Sequence, residues 1–340
     1  MNISSRIIRL SRAQRALLEQ RLTPEATTQL PNRVEAPHSQ AVLRDWLHNN
    51  RSWLESQLLD TGAVLFRGFQ VEGAADFERC IKTAFGKATD YPGLAQGVVL
   101  RKQIHGKIST STEYSPAFHI LLHNECSFAD TWPGQIGFYC IDPPTTGGET
   151  PIADVRRVLA SMSQGTRQKL EQLGVLYVRN FGYGSSRSWQ KAFNTDNPKA
   201  VEKTCSAEGV DCEWLDENHL RTSARRPALA IHPVTGETVW FNHIHASHVS
   251  SLEPHLRETL MREFGAEGLP RNCYYGDGSE IEDSVIDEIN NVYKEHTKAF
   301  QWQAGDVMFL DNMLTSHGRN PFTGSRKIAV GMAGSITRAA

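Results

Sequence analysis

The sequence predicts a mostly β fold with surrounding helices, in which the strands form a sandwich or barrel wrapped by the helices. Two observations lead to this prediction. Short strand-like runs are distributed over the whole 340-residue chain, whereas helical periodicity is concentrated in its early part and in apparent insertions. No internal repeat divides the chain. A mixed α/β sheet is the alternative, because apolar periodicity alone does not fix which strands pair.

The composition bounds the class of protein. With 39% hydrophobic and 22% charged residues, the chain suits a globular protein of one large domain with insertions, or two ordinary domains. The 36 basic and 38 acidic residues nearly cancel, so we expect neither nucleic acid nor a membrane as partner. The six cysteines form no C-x-x-C pair, and no apolar run could span a bilayer. These features indicate reduced thiols and a cytoplasmic protein.

The N-terminal segments are predicted to lie outside the main domain. Residues 1–22 carry five arginines and one glutamate, with apolar residues at roughly helical spacing, which predicts a basic amphipathic helix. This helix could pack loosely on the domain, act as a transit peptide or dock on a partner. Residues 23–40 are rich in proline, threonine and polar residues, which is typical of a linker.

The main domain begins with helices around a buried strand. An apolar stripe of leucines and tryptophan predicts helix over Ala41–Leu59, and helical spacing returns at Ala74–Phe85. Between them, the apolar run 62–68 ends in glycine and predicts a strand. A further strand is predicted at Gln135–Ile141, where two prolines stop the β-rich run.

The second half is predicted to alternate strands with helices, interrupted by one long polar segment. Residues 182–226 have few strand signals and suggest an insertion or lid. The predicted helices are two within Val155–Leu173 and one at Glu280–His296; the predicted strands are Val175–Val178, Ala228–Ile231, Thr238–Phe241, Asp306–Leu310 and Ile328–Met332.

A candidate metal site comes from His123 and Glu125. Of the thirteen histidines, only His123 has an acidic residue two positions later. On a strand, side chains two positions apart point the same way, so both could reach one metal ion. His317 is the best third ligand, because it lies where one predicted strand gives way to the next. Two imidazoles and one carboxylate are the ligand set of non-haem Fe(II) oxygenases.

A rival cluster consists of His243, His245 and His248, which follow the strand that ends at Phe241. Their spacing could bind zinc or copper, but no carboxylate or cysteine is close by to complete the set. We therefore favour hydrogen-bonded or surface side chains for these histidines. They could still line a substrate pocket.

Three stretches together resemble the taurine-dioxygenase-like (TauD/TfdA) family of Fe(II)/2-oxoglutarate-dependent oxygenases, and within it the SyrP-like amino-acid β-hydroxylases. The stretches are Gly62–Phe69; Leu121–Asp154, with His123-Asn124-Glu125 and Gly147-Gly148-Glu149-Thr150-Pro151; and Trp302–Met332, with Gly305-Asp306, His317-Gly318-Arg319 and Arg326. The resemblance implies a double-stranded β-helix (jelly-roll) core. Residues 41–340 would form a single oxygenase domain, with the lid at 182–226.

The resemblance also implies roles for individual residues. His123, Glu125 and His317 would be the iron ligands. Arg326 would pair with the distal carboxylate of 2-oxoglutarate, since a guanidinium binds a carboxylate through two parallel hydrogen bonds, and the Thr150 hydroxyl would assist. Most of the family has aspartate at the position of Glu125. Glutamate there is typical of clavaminate-synthase-like and SyrP-like amino-acid hydroxylases, and its presence argues against a halogenase.

The implied activity uses Fe(II), 2-oxoglutarate and O2 to hydroxylate an unactivated carbon. The β-carbon of an amino acid is expected, either free or tethered to a peptidyl carrier protein in nonribosomal peptide biosynthesis. Alternatives are desaturation or cyclisation by the same fold, a non-catalytic module that binds an amino acid or a carrier protein, and a zinc hydrolase. The candidate substrate-binding residues are Arg225, Arg226, Asn242, His243 and His245, of which an arginine could recognise a carboxylate.

Overall fold

The computed structural model describes residues 30–90, 101–184 and 186–338. The predicted helix at 1–22 and the first part of the linker lie outside these residues. The linker prediction for 23–40 is wrong in its described part, because Asn32–Glu35 is a strand that pairs in parallel with Ala63–Arg67. Within these ranges, no helix has the length and apolarity that a membrane crossing requires.

Most of the described chain is regular structure. The strands are β1 Asn32–Glu35, β2 Ala63–Arg67, β3 Ala88–Thr89, β4 Gln103–His105, β5 Ile108–Thr110, β6 Ile120–His123, β7 Thr131–Asp142, β8 Thr146–Gly147, β9 Ile152–Asp154, β10 Val175–Phe181, β11 Asp211–Trp214, β12 Leu220–Arg226, β13 Leu229–Ile231, β14 Thr238–Trp240, β15 Arg271–Tyr275, β16 Val307–Asp311, β17 Thr315–Arg319, β18 Phe322–Thr323 and β19 Lys327–Thr337. The α-helices are α1 Leu43–Asn49, α2 Arg51–Thr61, α3 Gly73–Phe85, α4 Val155–Ser161, α5 Gln164–Leu173, α6 Trp189–Phe193, α7 Pro198–Ala207, α8 Ile244–Ser247, α9 Pro254–Gly268 and α10 Asp283–His296. The periodicity predicted helices α1 to α5 and α10 and the longer strands of the principal sheet, but missed α6 to α9 and most short strands.

An eight-stranded principal sheet has the order β1-β2-β16-β7-β19-β5-β4, and β3 also pairs with β19. The long strand β7 pairs antiparallel with both β16 and β19. A second sheet consists of β6, β17 and β9. Helices surround these sheets, and the fold is a mostly β jelly-roll core with helices, which confirms the predicted fold class.

The principal sheet is buried on both faces. Val64 and Phe66 of β2 belong to a core cluster with the early helices, whereas Ala63 and Leu65 belong to a second cluster on the other face. Strand β16 alternates in the same way. Burial on both faces explains why these strands appear in the sequence as continuous apolar runs. On the inner face, the ring of Phe138 contacts the ring of His317 at 5.2 Å between centroids, so this sheet supports the candidate site.

The segment 182–226 is more regular than predicted. It contains α6, α7, β11 and β12, and β12 joins a third sheet of order β11-β12-β10-β15. The expectation of few strands is wrong because β12 is polar in composition and yet alternates. Its buried Leu220, Thr222 and Ala224 are interleaved with more exposed neighbours. Lid closure by this segment remains a prediction.

A buried ion pair joins the last residue of β2, Arg67, to Asp306, the residue directly before β16. The Arg67 guanidinium donates to the Asp306 carboxylate through Nε at 2.9 Å and Nη2 at 2.6 Å. The Asp306 side chain is only 1% exposed. Its hydrogen bond to Arg67 raises the pKa of the guanidinium.

We expect Arg67→Met to lower the free energy of unfolding by about 3 kcal/mol, because the variant leaves a buried carboxylate without its cation. Urea denaturation measures this change. The matched control is Arg51→Met, which breaks an exposed pair with Glu55 and should cost less than about 1 kcal/mol. Equal losses in the two variants would contradict the importance of the buried pair.

Candidate active site

Two histidines on adjacent antiparallel strands form the centre of the candidate site. His317 of β17 lies directly opposite His123 of β6, and their ring centroids are 4.6 Å apart. On its other side, His317 pairs with Ile152 of β9. The sequence had suggested that His317 lies between two strands. In the structure it lies within a strand of its own, β17.

Glu125 approaches the two histidines from a turn. Strand β6 ends at His123, and the following turn contains Cys126 with a φ of +58°. The expectation that His123 and Glu125 share a strand is wrong, yet the structure brings the three side chains together. The donor atoms of His123, Glu125 and His317 all lie within 4.8 Å of one another. Glu125 Oε2 is 4.0 Å from Nε2 of His317.

The side chain of Asn312 fixes this turn. It accepts a hydrogen bond from the Glu125 backbone N–H at 2.7 Å and donates to the Glu125 carbonyl at 2.9 Å. It also donates to the carbonyl of Pro133 at 2.9 Å. The Asn124 side chain in turn donates to the Asn312 carbonyl at 2.6 Å. No sequence pattern pointed to Asn312, because it acts across 187 positions of chain.

Both imidazoles are in the form that binds metals. The Nδ1 atom of His123 lies 2.8 Å from the Leu121 carbonyl, which can only accept, so Nδ1 carries the proton and Nε2 keeps its lone pair. Burial lowers the pKa of His123, and burial followed by the neighbouring His123 lowers the pKa of His317 to about 3. Two neutral imidazoles and one carboxylate fit a divalent metal such as Fe(II).

Arg101 is a member of the site that sequence reasoning missed. Its Nη2 atom lies 2.6 Å from Glu125 Oε2, and the two side chains are only 9% and 5% exposed. The guanidinium balances the carboxylate charge in a place from which water is largely excluded. No motif surrounds Arg101 in the sequence, so nothing there indicated this pairing.

Arg326 and Thr150 lie together, as the resemblance had implied. The Arg326 guanidinium donates to the Gly148 carbonyl at 2.8 Å and lies 3.4 Å from the Thr150 hydroxyl. The indole N–H of Trp302 donates to the same hydroxyl at 3.1 Å. Burial, followed by the charge of Arg319, lowers the pKa of Arg326 to about 10, so the guanidinium stays charged at neutral pH.

Of these groups, Arg326 borders a cavity whose wall carries three basic residues, Arg319, Arg326 and Lys327, and one acidic residue, Glu113. The cavity has a volume of about 410 Å³, and both Arg319 and Arg326 contribute to its wall. Gly148 is required beside it, because a Cβ atom there would lie 2.7 Å from the Pro144 ring and 3.1 Å from Cδ of Arg326. Thr150, which contacts Arg326, is two positions from Ile152, the strand partner of His317, so the segment 150–152 connects the cavity wall to the histidine pair.

The predicted substrate role of Arg225 and Arg226 is not supported by the structure. The exposed Arg225 donates to the Gly276 carbonyl at 2.8 Å. Arg226 is buried, and its guanidinium is occupied by backbone carbonyls and an ion pair that connect β12 to neighbouring segments. Its partners are Phe128, Glu208, Gly209, Arg225 and Asp130. Both arginines therefore hold the fold together.

Asn242 and His245 are likewise engaged by the fold, and these contacts do not support their substrate role, which stays a prediction. The Asn242 amide donates to the Ala228 carbonyl and accepts from the Ile244 N–H. His245 is hydrogen-bonded to Asn290 at 2.8 Å, and its ring stacks on Tyr293.

His243, in contrast, lies at the site. Its ring contacts those of His123 and Phe128 at centroid distances of 5.4 and 5.0 Å. Among the residues described by the structure, the only group of three or more side chains able to hold a metal ion is His123, Glu125 and His317. The zinc alternative built on His243 and His245 therefore has no support in the described ranges.

Comparison with known proteins extends this picture. Residues 26–332 match the family described as "Taurine catabolism dioxygenase TauD, TfdA family". The chain is 39% identical over 279 residues to the dapdiamide synthesis protein DdaC of Enterobacter agglomerans, covering 82% of this chain and 84% of the relative. It is 29% identical over 294 residues to a clavaminate synthase-like protein of Arabidopsis thaliana, covering 83% and 84%. The solved structure of PvcB from Pseudomonas aeruginosa matches with a TM-score of 0.51 at 16% identity, over 91% of this chain and 85% of that one, and this likeness shows the fold alone.

The buried His245 makes stability depend on pH. Burial lowers its pKa to about 4, whereas a histidine in the unfolded chain titrates near 6.5. Between these values the unfolded chain binds more protons, so the free energy of unfolding decreases as the pH falls from about 6.5 to about 4.

We expect His245→Gln to flatten this dependence by on the order of 3 kcal/mol across the window. Urea denaturation of the metal-free protein at a series of pH values measures it. The exposed His38 provides the control variant His38→Gln, which should leave the slope unchanged. An unchanged slope in His245→Gln would show that other groups dominate the dependence.

Proposed function

Because this chain belongs to the TauD/TfdA family of dioxygenases and is an iron- and 2-oxoglutarate-dependent oxygenase, we propose that it hydroxylates the β-carbon of an amino acid in secondary metabolism. The main support is the 39% identity to a protein named for dapdiamide synthesis. The glutamate at position 125, typical of amino-acid hydroxylases of the SyrP-like and clavaminate-synthase-like kind, points the same way. The proposal covers a free amino acid and one tethered to a peptidyl carrier protein.

The proposed iron ligands are His123, Glu125 and His317. Their mutual distances, the neutral imidazoles and the free lone pair on Nε2 of His123 support this assignment. Asn312 holds the Glu125 turn in place through its side-chain hydrogen bonds. The carboxylate is therefore positioned by the fold, and the metal need not organise it.

The proposed 2-oxoglutarate site is the cavity that contains Arg326. Its guanidinium would bind the distal carboxylate through two hydrogen bonds, and the Thr150 hydroxyl, oriented by Trp302, would add a third. The nearby Arg319 increases the positive potential of the cavity but is itself tied to the backbone of 114–118 by three hydrogen bonds. Lys327, the third cation of the wall, is exposed to solvent, whereas Arg326 is partly buried and is held at the Gly148 carbonyl. We therefore assign ligand binding to Arg326.

When bound, iron and 2-oxoglutarate supply the oxidising chemistry, with succinate and carbon dioxide as co-products. The chain supplies position and a dry surrounding. Arg326 fixes one end of 2-oxoglutarate in a single orientation. His243 packs against His123, and Phe128 packs against His243, which limits the access of water from that side.

Succinate release tests the proposal. The Fe(II)-loaded protein is incubated with 2-oxoglutarate and air, with and without a panel of free amino acids and aminoacyl carrier-protein thioesters. We expect one panel member to stimulate succinate release and to gain one oxygen atom at its β-carbon. A product that has lost two hydrogen atoms would indicate desaturation instead. Stimulation without any β-modified product would overturn the proposal.

Arg326→Met should raise the KM for 2-oxoglutarate by about 100-fold, because charged hydrogen bonds to the distal carboxylate are lost. Arg326→Lys keeps the charge without the planar fork, and we expect an intermediate KM. Succinate release at varied 2-oxoglutarate concentration measures both values. A KM unchanged in Arg326→Met would place 2-oxoglutarate elsewhere.

Asn312→Ser should lower the affinity for Mn(II), used as an air-stable substitute for iron, by about 10-fold or more, since the Glu125 turn loses its support. Electron paramagnetic resonance of unbound Mn(II) measures the affinity. The control is Asn272→Ser, which lies on β15 in a different sheet and removes a buried amide whose oxygen accepts a hydrogen bond from the Val249 N–H. Similar losses in both variants would show general loosening of the fold and no specific role for Asn312.

A further inference from the structure

One segment without regular structure builds much of the wall of the Arg326 cavity. Residues 111–118, here called the wall segment, lie between β5 and β6, and none of them belongs to a helix or strand. Its first five residues, 111–115, all line the cavity. A segment of this kind has no ladder of backbone hydrogen bonds to fix its position. Other contacts must therefore hold it against the cavity.

Arg319 holds the wall segment through three backbone carbonyls. Its Nη1 atom donates to the Tyr114 carbonyl at 2.8 Å. Its Nη2 atom donates to the carbonyls of Ser115 and Phe118 at 2.6 and 2.7 Å. Arg319 is buried, and hydrogen bonds from a charged donor are strong in such surroundings. Because Arg319 is the last residue of β17, these bonds tie the wall segment to the strand that carries His317.

The ring of Phe322 connects this anchor to the cation of the cavity. Its centre lies 5.2 Å from the guanidinium carbon of Arg319 and 5.7 Å from that of Arg326. At both distances a cation is attracted to the face of an aromatic ring. The backbone N–H of Phe322 also donates to the Pro116 carbonyl at 3.0 Å. The wall segment, Phe322 and the two arginines therefore pack against one another.

The wall segment also contacts Arg326 directly. The Nη1 atom of Arg326 lies 3.4 Å from the Ser111 hydroxyl, and the Ser111 N–H donates to the Ile328 carbonyl at 2.9 Å. Displacement of the segment would remove this contact and open the cavity to water. A guanidinium surrounded by water attracts a carboxylate less strongly than a shielded one. The affinity of Arg326 for an anion thus depends on where the wall segment lies.

We propose that Arg319 is a positioning residue for 2-oxoglutarate: it holds the wall segment in place and so preserves the shielded cavity in which Arg326 binds the distal carboxylate. This proposal deepens the proposed function and rests on it. Arg319 acts through the wall segment and not by contact with the ligand, because backbone carbonyls already engage three of its five N–H donors.

Two keto acids with the same carbon chain test this role. 2-Oxoglutarate and 2-oxopentanoate share the keto-acid end that chelates a metal, but only 2-oxoglutarate has a distal carboxylate. Each is titrated calorimetrically into the anaerobic, Fe(II)-loaded protein, and the ratio of the two affinities reports on the distal site. We expect a ratio of at least about 100 in the native protein. In Arg319→Gln the ratio should fall by about 10-fold, with the affinity for 2-oxopentanoate unchanged.

Two further variants separate this role from a general effect on the fold. Arg319→Lys keeps the positive charge but offers one amine to three carbonyls, so we expect it to restore the ratio only in part. Arg226→Gln removes another buried arginine that donates to backbone carbonyls, in the third sheet. This control should retain the full ratio.

Proteolysis reports on the wall segment independently of the charge of the ligand. Phe118 is exposed, so chymotrypsin can recognise its ring. Its carbonyl, which belongs to the bond that the protease cleaves, accepts a hydrogen bond from Arg319. We expect cleavage after Phe118 to be about 10-fold faster in Arg319→Gln than in the native protein, because the released segment opens locally. Arg226→Gln should show no such increase, and mass spectrometry of the fragments identifies the cleaved bond.

Three outcomes would overturn the role of Arg319. They are an unchanged affinity ratio in Arg319→Gln, an equal loss of affinity for both keto acids, and a reduced ratio without faster cleavage after Phe118. The last would mean that Arg319 acts through its charge and not through the wall segment. Failure of the proposed function has a different signature: the native protein would bind 2-oxoglutarate no more tightly than 2-oxopentanoate, so that the Arg326 cavity is not the 2-oxoglutarate site.

Discussion

The pairing of β6 with β17 is the constraint on which the site depends. It sets His123 and His317 opposite each other, and a slip of one position would turn one imidazole to the wrong face. Gly318 makes the close approach of the strands feasible, since a Cβ atom there would lie 2.5 Å from the Ile120 carbonyl oxygen. Strand β17 also pairs with β9, and this pairing fixes the position of the segment that contains Thr150. The proposed metal and 2-oxoglutarate sites are thus linked through one small sheet.

Positive charge is concentrated around this sheet although the chain as a whole is close to neutral. Arg101 faces the Glu125 carboxylate, and Arg326 faces the cavity proposed for 2-oxoglutarate. Both guanidiniums are partly shielded from bulk water, and this shielding strengthens their attraction for an anion. The first balances a carboxylate of the chain, and the second is proposed to bind the cofactor.

The sequence predicted the parts of the site that local motifs carry. His123, His317, Arg326 and Thr150 each lie in a short stretch that resembles the family, and the structure brings them together. The period-two argument for Glu125 was wrong because it assumed that β6 continues beyond His123.

The remaining residues act across long separations that no local pattern encodes. Asn312 and Arg101 reach Glu125 from other parts of the chain. Arg225 and Arg226 attracted attention as neighbours, but adjacent strand residues point to opposite faces, so they never formed a pair in space.

The ion pair between Arg101 and Glu125 has a consequence for how the enzyme is assembled. In domains held together by zinc, metal binding supplies the free energy of folding, and the metal-free chain is unfolded. Here an internal guanidinium already neutralises the carboxylate, and the hydrogen bonds of Asn312 already shape its turn. The chain's own contacts therefore shape this carboxylate and its turn, in contrast to a small zinc domain, whose ligands take up their positions only as the metal binds.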